Sequence, residues 1–119
     1  MAENNILTEA EGNGVWIGCR LHGKREGSWS YYEGCAFLKT AKYIEGLRQG
    51  PGAVFDSAGR LKLTLEFDQD RINGLARFYS SDGQNIATYN YIYDKLDRVE
   101  YYLLHDESPP KDKTFLPEF

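Results

Sequence analysis

Residues 60–67, RLKLTLEF, alternate without interruption: Leu61, Leu63, Leu65 and Phe67 fall on one side, Arg60, Lys62, Thr64 and Glu66 on the other. A period of two marks a β-strand with one dry and one wet face. Moving 24 residues down the chain reaches 85–93, NIATYNYIY, where Ala87, Tyr89 and Tyr91 take the places of Leu63, Leu65 and Phe67. Moving 24 residues up reaches 37–43, FLKTAKY, where Phe37, Ala41 and Tyr43 stand for Leu61, Leu65 and Phe67. The apolar face recurs in all three copies, with Lys39 and Asn85 as the two intrusions.

Shorter strands are expected between the long ones, at 28–32, 53–55, 76–79 and 98–104. Gly59 in DSAGR and Gly83 in SSDGQ sit where a hairpin loop of three to five residues needs positive φ, and Asn73-Gly74 is a strong two-residue hairpin signal. The spacings 74−50, 79−55 and 83−59 are all 24, so each unit reads as one β-hairpin joined to the next by another. The first copy, Gly27 to Gly50, is one residue short, and the loss falls near YEGCA at 32–36. Further upstream, ILT and VWIGCR read as a degenerate capping hairpin within residues 1–22. About three and a half hairpin repeats then fill residues 23–104. Residues 105–119 hold three of the four prolines and no alternation, and read as a tail anchored through Phe115, Leu116 and Phe119. TAKYIEGLRQG can be forced into two helical turns only, because Gly46 interrupts it and the repeat claims it as strand and turn. The expected fold is therefore all-β, an antiparallel meander of about eight or nine strands in a curled single sheet or half-barrel.

Composition narrows the function classes. With 119 residues the chain suits one domain, and its nine tyrosines favour half-buried strands. A net charge of −4 and a single short basic cluster, HGKREG, argue against nucleic acid as partner, and the shortage of Lys and Arg argues against a membrane surface. The N-terminal stretch lacks the basic and apolar segments of a secretory signal, and no run of about 20 apolar residues is present, so a soluble cytoplasmic protein with reduced Cys19 and Cys35 is expected.

The units EGSWSYYEG (26–34), GLRQGPGAVFDSAGRL (46–61) and INGLARFYSSDGQ (72–84) resemble the MORN repeat, and more closely its degenerate variant in bacterial antitoxin and immunity-like proteins. The resemblance covers residues 23–104. In the fourth copy Arg98 replaces the expected glycine, and Asp70 and Asp94 stand where the earlier unit has Gly46. It implies a curved sheet that binds protein or lipid, has no catalytic residues to carry over, and in bacterial relatives often neutralises a toxin.

Catalytic and metal motifs are weak by comparison. Cys19-x2-His22 with Cys35 and His105 lacks the second close pair of a zinc site, so no metal and no cofactor is expected. GNGVWIG (12–18) has Ile17 where a dinucleotide fingerprint needs its third glycine, and no nucleophile motif accompanies either histidine. The expectation is a protein that is not an enzyme. Its candidate partner-binding residues are Trp16, Trp29, Tyr31, Tyr89, Tyr91, Tyr93, Tyr101 and Tyr102, because a one-layer sheet leaves one face uncovered for aromatic anchors. The expected partner is another protein, a toxin or effector, with homo-oligomers through the sheet edges left open. The alternative is a ligand-binding or lyase-type β-barrel with a Tyr-lined cavity.

Overall fold

The computed structural model describes residues 6–102 and Phe119. The expected strand positions at Leu103 and Leu104, residues 105–118 of the tail, and His105 lie outside the described residues. Among the described residues ten strands run in chain order: β1 Ile6–Glu11, β2 Gly14–Leu21, β3 Lys24–Glu33, β4 Ala36–Ile44, β5 Leu47–Phe55, β6 Leu61–Asp68, β7 Arg71–Ile72, β8 Gly74–Tyr79, β9 Asn85–Ile92 and β10 Lys95–Tyr101. Each pairs antiparallel with its neighbour in one open sheet, with β7 and β8 both on β6. The all-β meander is as expected, and the described strands leave β1 and β10 at opposite ends and close no barrel. The strand count exceeds eight or nine because Asn73 cuts β7 from β8.

One face carries the core. Trp16, Trp29, Tyr43, Leu65, Phe67, Tyr89 and Tyr91 are buried there, and Phe119 packs edge-on against Phe67 with ring centroids 5.3 Å apart. The tail's expected anchor is thus realised for Phe119, while Phe115 and Leu116 lie outside the described residues. Long cationic side chains help to roof the rings of this single layer. The Arg25 guanidinium lies 4.2 Å from the Trp29 ring centroid, Lys39 Nζ 4.5 Å from Tyr31, and the Arg48 guanidinium 4.6 Å from Phe67. Such contacts let a charged side chain cover apolar surface while its head keeps a favourable partner. Lys39 is therefore no flaw in the alternation.

Bulges reset the alternation at matching places. Pairing skips Leu38 between Tyr31–Lys39 and Tyr32–Phe37, Lys62 between Val54–Leu63 and Phe55–Leu61, and Ile86 between Phe78–Ala87 and Tyr79–Asn85. An extra residue in one strand redirects the side chains beyond it. Phe37, Leu61 and Asn85, expected on the apolar face, consequently stand opposite Tyr32, Phe55 and Tyr79 on the second face. The one-residue deficit of the first unit has a related effect. Tyr31 lies in the core, and Tyr32 is the true counterpart of Phe55 and Tyr79, since a slip of one flips a side chain across the sheet.

The turns also depart from expectation. Asn73-Gly74 is not a hairpin turn: Gly74 opens β8 after the break at Asn73, and Gly50 lies inside β5. Both glycines have positive φ (86° and 116°) next to the strand irregularities after the real turns. Those turns are His22-Gly23, Glu45-Gly46, Gln69-Asp70 and Tyr93-Asp94, all with positive φ at both residues, as two-residue hairpins of matching twist require. Each of the last three hooks onto the preceding unit. The N–H groups of Gly46, Asp70 and Asp94 donate to the carbonyls of Arg25, Arg48 and Ile72 at 2.9, 2.9 and 2.8 Å. The N–H groups of Glu45, Gln69 and Tyr93 donate to the side chains of Glu26, Gln49 and Asn73 at 3.0, 2.8 and 3.1 Å. At the other end of the hairpins, the loops starting at Asp56 and Ser80 close with the same two backbone bonds 24 residues apart.

The first hairpin is tied down by charge. Glu9 accepts from Arg20 Nε at 2.5 Å and Arg25 Nη2 at 3.0 Å, and these guanidinium bonds, working against partial burial, hold its carboxyl at about 2. A folded-state value below the unfolded one stabilises the fold above the unfolded value of 4.5 and is lost as pH falls towards 2. With the carboxylate still partly solvated, we expect this group to supply about 1–2 kcal/mol at neutral pH. Urea unfolding should therefore find Glu9→Gln less stable by that amount at pH 7 and equal to wild type near pH 2. A constant difference across that window would refute the assignment.

Candidate functional site

Among the described residues nothing packs over the face opposite the core, and small residues pave its middle. Strand pairing lines up Ser30, Thr40, Ala53, Thr64, Arg77 and Thr88 across β3, β4, β5, β6, β8 and β9. Apart from Arg77, these side chains are short and leave a depression between taller rows. The groove has a volume of ≈ 440 Å³, with Thr40, Ala53 and Thr64 on its floor, Pro51 and Leu75 on one flank and Tyr79 on the other. Lys42, Glu66 and Arg77 set charges of both signs around it.

An aromatic row runs beside the floor. Tyr32 and Phe37 lie 5.4 Å apart between ring centroids, and Phe37 and Phe55 4.9 Å, all three half-buried. These rings are held by their mutual contacts, and half-buried rings beside a floor of short side chains offer both apolar area and room for an incoming chain. The bulges at Leu38 and Lys62 are what bring Phe37 and Leu61 to this face beside Phe55.

The expected anchors divide into two groups. Trp16 and Trp29 are 0% exposed, and Tyr31, Tyr89 and Tyr91 are also packed into the core face. Tyr93, Tyr101 and Tyr102 are 49%, 40% and 44% exposed and lie at the β9–β10 end, with Ile92 and Leu96 nearby in the chain. Tyr102 reaches the second face, where its hydroxyl meets Thr88 Oγ1 at 3.2 Å. Tyr101 belongs to the core side, edge-on to Tyr89 at 6.3 Å. Phe37, Phe55, Tyr79 and Leu75 were missing from the expected anchors. For Phe55 and Tyr79 the signal was the 23-residue first unit, which pairs Tyr32, not Tyr31, with them.

Cys19 is half-buried in β2, Cys35 is exposed in the β3–β4 turn, and the two form no disulfide with each other. His22 occupies the β2–β3 turn. Among the described residues no three His, Cys, Asp or Glu side chains are grouped to hold a metal ion. No helix among them is long and apolar enough to cross a membrane. No family model and no curated protein matches the chain.

Proposed function

We propose that this chain is a non-catalytic protein-binding module built from MORN-like hairpin repeats, acting in the cytoplasm on a toxin or effector that it neutralises by direct contact. The groove of the second face carries the reading. It is a sheet surface left open by the described residues, with a floor of Thr40, Ala53 and Thr64, an aromatic row at its side, and room for a segment of partner chain. Interfaces of this kind draw their strength from a few aromatic anchors set in a well-packed patch. Tyr102 extends the same face towards β10 through its contact with Thr88. The repeat supports the reading too, because units that hook onto one another by turn bonds hold a long surface in fixed shape. A net charge of −4 suits a basic partner, through faster capture more than through tighter binding.

Co-expression with the product of the adjacent reading frame tests it. A complex should co-elute, and Ala53→Glu, which sets a charge on the groove floor, should weaken it at least about tenfold while leaving the melting temperature within a few degrees. Absence of a complex, or one that Ala53→Glu leaves intact, refutes the proposed surface.

A further inference from the structure

The two edges of the sheet differ in how they resist pairing. On β10, Lys95, Asp97, Arg98 and Glu100 are exposed and a bulge falls between Leu96 and Arg98. Charges and bulges are the usual protection of an edge strand. β1 has neither device on its open side. Its register with β2 is continuous from Ile6–Cys19 to Glu11–Gly14, it has no Lys, Arg or Pro, and Ile6 is 73% exposed. Its acidic side chains are already engaged, Glu9 by Arg20 and Arg25 and Glu11 by Trp16 Nε1 at 3.2 Å.

The direction of the free backbone groups follows from the hairpin. A two-residue turn closes on a hydrogen-bonded pair, here Glu11 with Gly14, and hydrogen-bonded and non-bonded pairs then alternate. Glu11, Glu9 and Leu7 thus bond to β2, while Ile6, Thr8 and Ala10 turn their N–H and C=O outward. Those three also place their side chains on the second face.

We propose that β1 pairs antiparallel with β1 of a second copy, about a two-fold axis through Thr8. In that register Thr8 faces Thr8 of the second copy, and Ile6 faces Ala10 of the second copy, a large side chain against a small one. On the core side Leu7 faces Glu9 of the second copy. Sliding the pair by one residue per strand in one direction sets Glu9 against Glu9 of the second copy, and like charges directly opposite repel. Sliding it in the other direction leaves only Ile6 to Thr8 of the described strand in the ladder. The proposal is independent of the groove and of any partner there.

The contact is short, below the area of a stable obligate dimer, so self-association is weak, with a dissociation constant on the order of tens to hundreds of micromolar. Sedimentation equilibrium on the full chain from about 10 μM to about 1 mM reads it. Thr8→Pro removes an outward N–H that β2 does not use, and edge strands tolerate proline there. Wild type should shift from monomer to dimer over this range, and Thr8→Pro should weaken association at least about tenfold. Ile6→Lys, which sets a charge at both symmetric ends, should do the same and covers the case in which the proline variant misfolds. A wild-type protein that stays monomeric, or a dimer that both variants leave unchanged, overturns the proposal. So does a monomer that takes up an extended peptide along β1.

Discussion

Gly18→Ala is expected to destabilise the protein by about 2–3 kcal/mol, lowering the melting temperature by roughly 10 °C. A Cβ at this position would lie 2.3 Å from Trp29 Cδ2, 2.4 Å from Cε2 and 2.6 Å from Cγ. The ring has no simple retreat. It is 0% exposed, its Nε1 donates to the Cys19 carbonyl at 3.0 Å, and Arg25 lies over its face. Gly52→Ala is the graded comparison, since its nearest contact is one ring edge, Phe67 Cε2 at 2.8 Å, and it should cost less. Shrinking the obstacle tests the cause. In the double variant Gly18→Ala/Trp29→Leu the two losses should fall short of additive by at least about 1 kcal/mol, because the clash disappears with the indole. Strict additivity, or Gly18→Ala within about 0.5 kcal/mol of wild type, would show that the Trp29 ring does not depend on the bare glycine.

Alternation sufficed to find β4, β6 and β9, because a sheet with one buried face must keep its apolar residues in step. Leu63, Leu65 and Phe67 with Ala87, Tyr89 and Tyr91 are buried on one face, as the 24-residue spacing requires. What alternation could not carry was the bulge. Leu38, Lys62 and Ile86 recur at the same spacing without sharing a residue type, so nothing in their chemistry announces an unpaired position. Phe37 and Leu61 consequently looked like core and proved to stand half-buried on the opposite face.

Turn chemistry was legible where a glycine marked it and misleading where another residue did the same work. Asn73-Gly74 has the composition of a hairpin turn, yet Asn73 serves as an acceptor for the Tyr93 N–H. The turn itself is Gln69-Asp70, with φ of 46° and 72°. For the surface residues the limit was different in kind. Tyr31 and Tyr32 are adjacent in sequence and lie on opposite sides of the sheet, and only the length of the first unit says which is which.

Asp70 provides the sharpest measure of the bonds between units. It stands where the previous unit has Gly46, a change that looks like damage to the repeat until its contacts are followed. Like Gly46, it donates its N–H to the preceding unit, here to the Arg48 carbonyl. Its carboxylate then adds what glycine cannot, accepting from Arg48 Nε at 2.6 Å and the Arg48 N–H at 3.3 Å, while its own carbonyl accepts from Arg48 Nη2 at 2.7 Å. Asp94 repeats the bond to the backbone, accepting from the Ile72 N–H at 2.8 Å. Positive φ remains a cost for a residue with a side chain, although Asp and Asn bear it better than most. Asp70→Ala loses the acceptor and keeps the strain, so it should cost about 2 kcal/mol; Asp70→Gly loses the acceptor but relieves the strain, about 1 kcal/mol; Asp70→Asn keeps an acceptor and tolerates the angle, and should cost least. Urea unfolding midpoints at constant m would read that order. Equal stability of the alanine and glycine variants would mean that the angle carries no strain. Equal stability of the glycine variant and wild type would mean that the carboxylate adds no net hold, leaving the backbone bond as all that residue 70 contributes between units.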